Sequence, residues 1–153
     1  MFILITKGGE RMKIRYDLPC NIAQTLNLLG DRWTLLIVHE LMIGETNFND
    51  IKEKLPGLSA NVLSSRLKEL EEAGLVYSDL YVLHPPRYRY LLTESGQALE
   101  HVFNAMILWG TEHLETCYKE IVDERENRVE IGYYSTVTGE RVHNFNIRPI
   151  KPE

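Results

Sequence analysis

The residues with the most chemistry in this chain are two thiols and a set of short polar and basic side chains grouped at helical and strand spacing. Cys20 stands where a helix is predicted to begin, so the positive end of the helix dipole favours thiolate, and Arg15 or Arg32 would add to that effect. A thiolate there is oxidisable and nucleophilic. The other reading of Cys20 is a small buried hydrophobe near the dimer contact, because free cysteine is among the most buried residue types. Cys117 is either a partner for an intersubunit disulfide or a packing residue. Neither cysteine belongs to a CxxC or Cys/His pattern, and His39, His84, His101, His113 and His143 share no ligand spacing, so no metal and no cofactor is expected. No carboxylate pair is placed for general acid/base work, and there is no glycine-rich phosphate loop or nucleophile elbow. Nothing in the chain reads as an enzyme.

The polar set points elsewhere. Between Ala60 and Ala73, Leu63, Leu67 and Leu70 form one helical face, while Asn61, Ser65, Lys68 and Glu72 lie near the opposite pole with Ser64 beside them. An exposed face of short polar residues suits a helix pressed into a duplex groove, where bulk would hold it off. Asn61, Ser64 and Ser65 are the candidates for base edges; Asn pairs bidentately with adenine and Ser with several edges, so no sequence preference can be assigned. Lys68, Arg66, Arg87 and Arg89, with Lys52 and Lys54 on the preceding helix, are the candidates for phosphate. Ser59, at the cap of the reading helix, and His84 complete the set.

The elements that must position these residues are marked by local punctuation. Ile22, Ala23, Leu26 and Leu29 give a first helix stopped by Gly30; Asp31 caps a second through Leu41, ending near Gly44. Asn47 is the expected cap of a short third helix that ends before Pro56-Gly57, and Ser59 caps the fourth, which stops at Gly74. Periodicity then changes to two, from Leu75 to Tyr81 and from Arg87 to Leu92, joined by Val82-Leu83-His84-Pro85-Pro86, which predicts a hairpin with a basic side. Thr93 is expected to cap a fifth helix running to about Tyr118. Its stripe of Leu99, Val102, Phe103, Met106, Trp109 and Leu114 is too apolar for a lone surface helix and predicts a second copy of the chain as cover. Such a helix would be about 37 Å long, enough to separate two reading heads by about one turn of duplex. Residues 119–128 read as a charged linker or frayed helix, and Val129–Ser135 with Arg141–Ile147, turning at Thr138-Gly139, as a second hairpin.

The expected architecture is therefore mainly α with a small β component (α+β): a winged helix-turn-helix with a long C-terminal dimerisation helix and an additional hairpin. The organisation reads as an N-terminal arm over 1–19, a DNA-binding and dimerisation domain over 20–118, and an extension over 119–153. Residues 1–11 look like a leader mistranslated from a purine-rich ribosome-binding site, with Met12 as the native start. At 153 residues, 44% hydrophobic and 25% charged, the chain has the composition of one globular domain. Its longest apolar runs, Phe2–Ile5 and Leu35–Val38, are too short for a membrane span or a signal peptide, so a cytoplasmic protein with no membrane partner is expected. The net charge of −5 arises wholly after residue 92, since residues 1–92 hold 11 basic and 11 acidic side chains. An acidic total does not argue against nucleic acid, because phosphate binding depends on a local basic face.

Order and spacing leave one rival, a winged-helix module that docks proteins and does not touch DNA. Resemblance decides further. Gly30-Asp31-Arg32-Trp33, Phe48-Asn49-Asp50-Ile51, Leu55-Pro56-Gly57-Leu58-Ser59, Gly74-Leu75-Val76, Pro85-Pro86-Arg87 with Tyr90, and Leu92-Thr93 to Gly96 occur in the order found in the HxlR-type family of bacterial transcriptional regulators, which the chain resembles from roughly Cys20 to Leu114. The resemblance implies a homodimeric winged-helix binder of double-stranded DNA at a pseudo-palindromic operator, often a repressor and sometimes an activator. Similar members use the cysteine equivalent to Cys20 to sense electrophiles, quinones or oxidants. Two departures stand out: Arg32 replaces a frequent lysine, and Tyr77-Ser78 replaces a segment that is often basic, which weakens the expected wing contacts. The second hairpin lies outside the resemblance; packing on the dimer helices, contacting a partner and lining a ligand site are all open to it.

Overall fold

A computed structural model describes residues 15–117 and 119–150. The suspected leader, residues 1–11, lies outside them, as does Tyr118. The expected class is found: helices with a small two-stranded wing.

Asp31 separates α1 (Asn21–Leu29) from α2 (Thr34–Met42) by serving as the cap the sequence implies. Its carboxylate accepts the Trp33 and Thr34 N–H groups at 2.8 and 3.2 Å and the Thr34 hydroxyl. Asn47 behaves differently from expectation before α3 (Phe48–Lys54). Its amide donates to Asp50 Oδ2 at 3.0 Å and caps no backbone N–H. The backbone here is used as a strand: Asn47 bridges Arg89, and the Thr46 carbonyl accepts the Tyr90 N–H at 2.8 Å. Two residues are too few to leave a period-two signal. The turn into α4 (Ala60–Glu72) requires Gly57, which has φ +91° and lies against the Trp33 ring, where an added Cβ would stand 3.7 Å away. Ser59 caps α4 by accepting the Val62 N–H at 3.2 Å.

Ile37, Val38, Ile51, Leu63, Leu67, Leu70 and Val76 fill the core that these helices share with the hairpin. β1 (Val76–Val82) and β2 (Arg87–Leu92) are antiparallel, Val76 opposite Leu92 and Leu80 opposite Tyr88, and the register slips between Leu80 and Val82 so that Tyr81 is the extra residue. The base of the hairpin is locked to the helical turn after β2. The Thr93 and Ser95 hydroxyls donate to the Gly74 carbonyl at 2.6 and 2.9 Å, and Gly96 sits so close that a Cβ there would be 2.1 Å from the Leu75 carbonyl oxygen.

That lock explains the main departure from the sequence reading. The single helix expected from Thr93 to Tyr118 is two pieces, α5 (Glu94–Gln97) and α6 (Glu100–His113). Thr93 caps α5, which is held against the hairpin, and the Leu99 N–H turns to the Gly96 carbonyl at 3.2 Å where the chain changes course. α6 stops at His113 because the chain folds back. The Thr111 hydroxyl donates to the Lys119 carbonyl at 2.6 Å, and Cys117 Sγ packs over Gly110, where a Cβ would come within 3.1 Å of it. Fourteen residues give α6 about 21 Å, so it does not by itself supply the separation expected of a 37 Å helix.

The chain forms two compact units, 1–101 and 102–153. In the second unit, residues 119–128 are neither frayed helix nor linker. Val122 bridges Arg128, and Asp123 organises the loop by accepting the Arg125 and Asn127 N–H groups at 2.8 and 2.9 Å; these bonds hold its carboxyl below the usual carboxylate range. The second hairpin turns where expected, at Gly139 with φ +73°, but β3 (Tyr133–Tyr134) and β4 (Arg141–Val142) are only two residues each. The Tyr133 and Phe145 rings pack at a tilt of 49°, centroids 4.6 Å apart. Among the described residues no helix is long and apolar enough to cross a membrane.

Candidate nucleic-acid interface

α4 presents the face that its period implies. Leu63, Leu67 and Leu70 are buried, and Asn61, Ser64, Ser65 and Lys68 are exposed. Asn61 and Ser64 are open to solvent, whereas the Ser65 hydroxyl donates to Glu69 Oε1 at 3.1 Å. Lys68 is 68% exposed and only loosely tethered, 3.8 Å from Glu72. On α3, Lys52 and Lys54 are exposed, Lys54 lying 3.7 Å from Glu45.

Arg66 has a different situation from the other cations. Its Nε lies 3.2 Å from Asp31 Oδ1 and its Nη1 bonds Glu69, which leaves the side chain 26% exposed. The ion pair ties the middle of α4 to the start of α2. Burial pushes the Asp31 carboxyl up, but the Thr34 hydroxyl, the Trp33 N–H, the Arg66 charge and the Thr34 N–H together outweigh it and hold the group below its ordinary value. Spacing alone gives no signal for this contact, because Asp31 and Arg66 meet only after α2 and α4 have packed.

On the wing, the sequence reading has Arg87 and Arg89 as a pair of free cations. Arg89 instead faces Asp79 across the ladder, Nε and Nη2 at 2.8 and 2.6 Å from one carboxylate oxygen. Both side chains are about half exposed, and such pairs are worth ~0–1 kcal/mol, so phosphate can compete for Arg89. Arg87 and His84 are exposed beside it. Tyr90 is half-buried; burial, with Glu71 and Tyr88 nearby, raises its hydroxyl above the ordinary tyrosine value.

Cys20 and Cys117 are both free and exposed in the single chain. The arginines expected to flank Cys20 are elsewhere. Arg15 reaches the Gly30 carbonyl, at the far end of α1, and Arg32 stacks on Trp33 at 4.8 Å. Of the expected dimerisation residues, Val102, Met106, Trp109 and Leu114 are exposed, Leu99 is half-buried, and Phe103 is buried within the chain itself. Among the described residues no three His, Cys, Asp or Glu side chains gather as metal ligands.

Comparison with known proteins fits this geometry. The family model for the HxlR-like helix-turn-helix matches residues 28–118. The chain belongs to the HxlR-like helix-turn-helix family. Its relatives include the HTH-type transcriptional regulator YodB of Bacillus subtilis, 42% identical over 89 residues that make up 58% of this chain and 80% of YodB. The reduced form of YodB superposes with a TM-score of 0.54 at 38% identity, covering 64% of this chain and 97% of YodB. The redox regulator HypR in its reduced form gives 0.59 at 29% identity, with covers of 63% and 95%. PA1607, a putative transcription factor, gives 0.70 at 25% identity and covers 89% of this chain and 97% of its own, which carries the likeness past residue 118. The protein is thus a DNA-binding transcriptional regulator of the HxlR type, in a winged-helix fold.

Proposed function

We propose that this regulator works as a homodimer on a pseudo-palindromic operator, with α4 in the major groove and the wing against the flanking backbone, and that it is a cytoplasmic repressor released by oxidation or alkylation of Cys20. The observation that carries the DNA contact is the free face of α4, short and polar, with exposed cations on either side of it. Asn61 and Ser64 read base edges; Lys52, Lys54, Lys68 and Arg87 hold phosphate, joined by Arg89 once phosphate displaces Asp79. Arg66 acts differently from the sequence reading, by tying α4 to the start of α2 through Asp31, while the Ser65 hydroxyl is engaged by Glu69 within α4 itself.

Homodimerisation is supported by the row of Val102, Met106 and Trp109 along α6, exposed apolar surface of the kind that marks an interface. The thiol switch is supported by the exposure of Cys20 and by YodB, for which diamide-treated and quinone-bound forms are known. Cys117 is the candidate second thiol for an intersubunit disulfide.

The test is fluorescence anisotropy of the reduced protein on DNA from upstream of its own gene, repeated after diamide. Specific binding that diamide abolishes in the wild type, and that persists in Cys20→Ser, is the expected result. Binding that survives diamide in the wild type would return Cys20 to a structural role. Absence of any DNA affinity would favour the protein-docking module.

A further inference from the structure

Where the wing meets the start of α3 there is an open cleft of about 360 Å³, within the size range of small-ligand sites. Phe48 and Asn49 form one wall, and Tyr81, Tyr88 and Tyr90 with Arg87 form the other. Four aromatic residues line it, Phe48 from α3 and Tyr81, Tyr88 and Tyr90 from the hairpin. Tyr81 and Tyr88 remain about half exposed, so their rings are not being used as core.

Two features give the cleft a chemistry. The first is the slip of register between Leu80 and Val82: it leaves Tyr81 unpaired in the ladder, and this extra residue is found in the cleft lining. The second is charge. The lining contains one cation, Arg87, and no carboxylate, and among the described residues Arg87 has no ion pair, unlike Arg89 two residues away, which Asp79 neutralises. An aromatic cleft with one uncompensated arginine at its rim complements a flat π-system that carries a single negative charge.

We infer that this cleft binds a small planar aromatic anion, a carboxylate or phenolate, and that the bound anion takes Arg87 away from DNA phosphate. The inference deepens the regulatory reading above by naming a class of effector, and it rests on the wing being a DNA contact. Ring stacking on Tyr81 and Tyr88 provides affinity and shape selection, and the anion's pairing with Arg87 provides the coupling. Ligand and DNA then compete for one side chain, so the effector weakens DNA binding without any need for a conformational change.

The experiment uses the full-length reduced protein and 2-naphthoate as probe, with 2-naphthalenemethanol as the neutral control and cyclohexanecarboxylate as the non-aromatic one. Binding is followed without DNA by amide NMR shifts, and with DNA by anisotropy. Saturable shifts confined to residues 47–49, 81 and 87–90 are expected. Both controls should bind about tenfold more weakly or less, and Tyr81→Ala, checked for an unchanged melting curve, should weaken naphthoate about tenfold. In the anisotropy arm, naphthoate should lower DNA affinity at concentrations that match its own Kd. The inference is overturned by unsaturable or scattered shifts, by equal affinity for the controls, by a Tyr81→Ala protein that binds as well as the wild type, or by naphthoate binding that leaves DNA affinity unchanged. A failure of the DNA reading looks different: the protein then has no DNA affinity with or without naphthoate, and the NMR arm alone decides whether the cleft binds the anion.

Discussion

α4 and α6 are amphipathic helices of nearly equal length that do opposite things with their two faces. α4 buries its leucines and leaves Asn61, Ser64 and Lys68 in water; α6 buries Phe103 and leaves Val102, Met106 and Trp109 in water, Trp109 being 58% exposed. The free face tells what each helix still lacks. Short polar groups among cations suit a polyanion, whereas a row of exposed large apolar groups suits another protein surface. A dimeric reader of DNA needs one helix of each kind.

The comparison can be broken from either side. The largest effect is expected at α6: Trp109→Asp should make the protein monomeric in sedimentation and lower operator affinity at least ~100-fold, because the two half-sites lose their linkage. A dimeric Trp109→Asp protein would remove α6 from the interface. Next comes the tie beneath α4. Asp31→Ala removes a helix cap and leaves Arg66 with one partner fewer, and should cost about 2–4 kcal/mol in urea unfolding. Because the folded Asp31 carboxyl is held below its ordinary value of 3.8, its stabilisation is fully present above that pH and is lost as the pH falls through the folded value. The stability gap between wild type and Asp31→Asn should therefore close in strong acid and be constant near neutrality.

Effects on the free face of α4 are smaller and of two kinds. Asn61→Ala should cost about 1–3 kcal/mol on the preferred operator and little on random DNA, whereas Lys68→Ala should weaken both alike and lower the salt slope by about 1. Equal losses for Asn61→Ala on both DNAs would make Asn61 a backbone contact. The smallest change is expected on the wing, where Asp79→Ala frees Arg89: stability should move by less than about 0.5 kcal/mol while affinity for any duplex rises slightly.

Local chemistry is legible in the residues themselves. The Leu63, Leu67 and Leu70 period, the Asp31 and Ser59 caps, and the glycine and proline stops act within one turn of chain, so they place α4 and the wing without knowledge of the rest. Contacts that form only on packing leave no such trace. Arg66 has the composition of a phosphate ligand until α2 brings Asp31 to it. Asp79 and Arg89 stand symmetrically about His84 at the hairpin tip, so their pairing is implicit in the hairpin register and not in residue type. The long helix fails because Gly96 reads as a tolerated residue in a helix, while its actual role is to let α5 approach the Leu75 carbonyl. The short strand at Thr46-Asn47 has no readable pattern at two residues.

Equilibrium anisotropy of the reduced protein on its own upstream DNA, titrated with KCl and repeated with Lys68→Ala, tests most directly whether the α4 face is the DNA contact. A linear fall of log K with log salt, with a slope of roughly −4 or steeper that becomes shallower by about 1 in Lys68→Ala, is the predicted result. Binding whose slope and strength are untouched by Lys68→Ala would place the DNA on another surface and contradict the account.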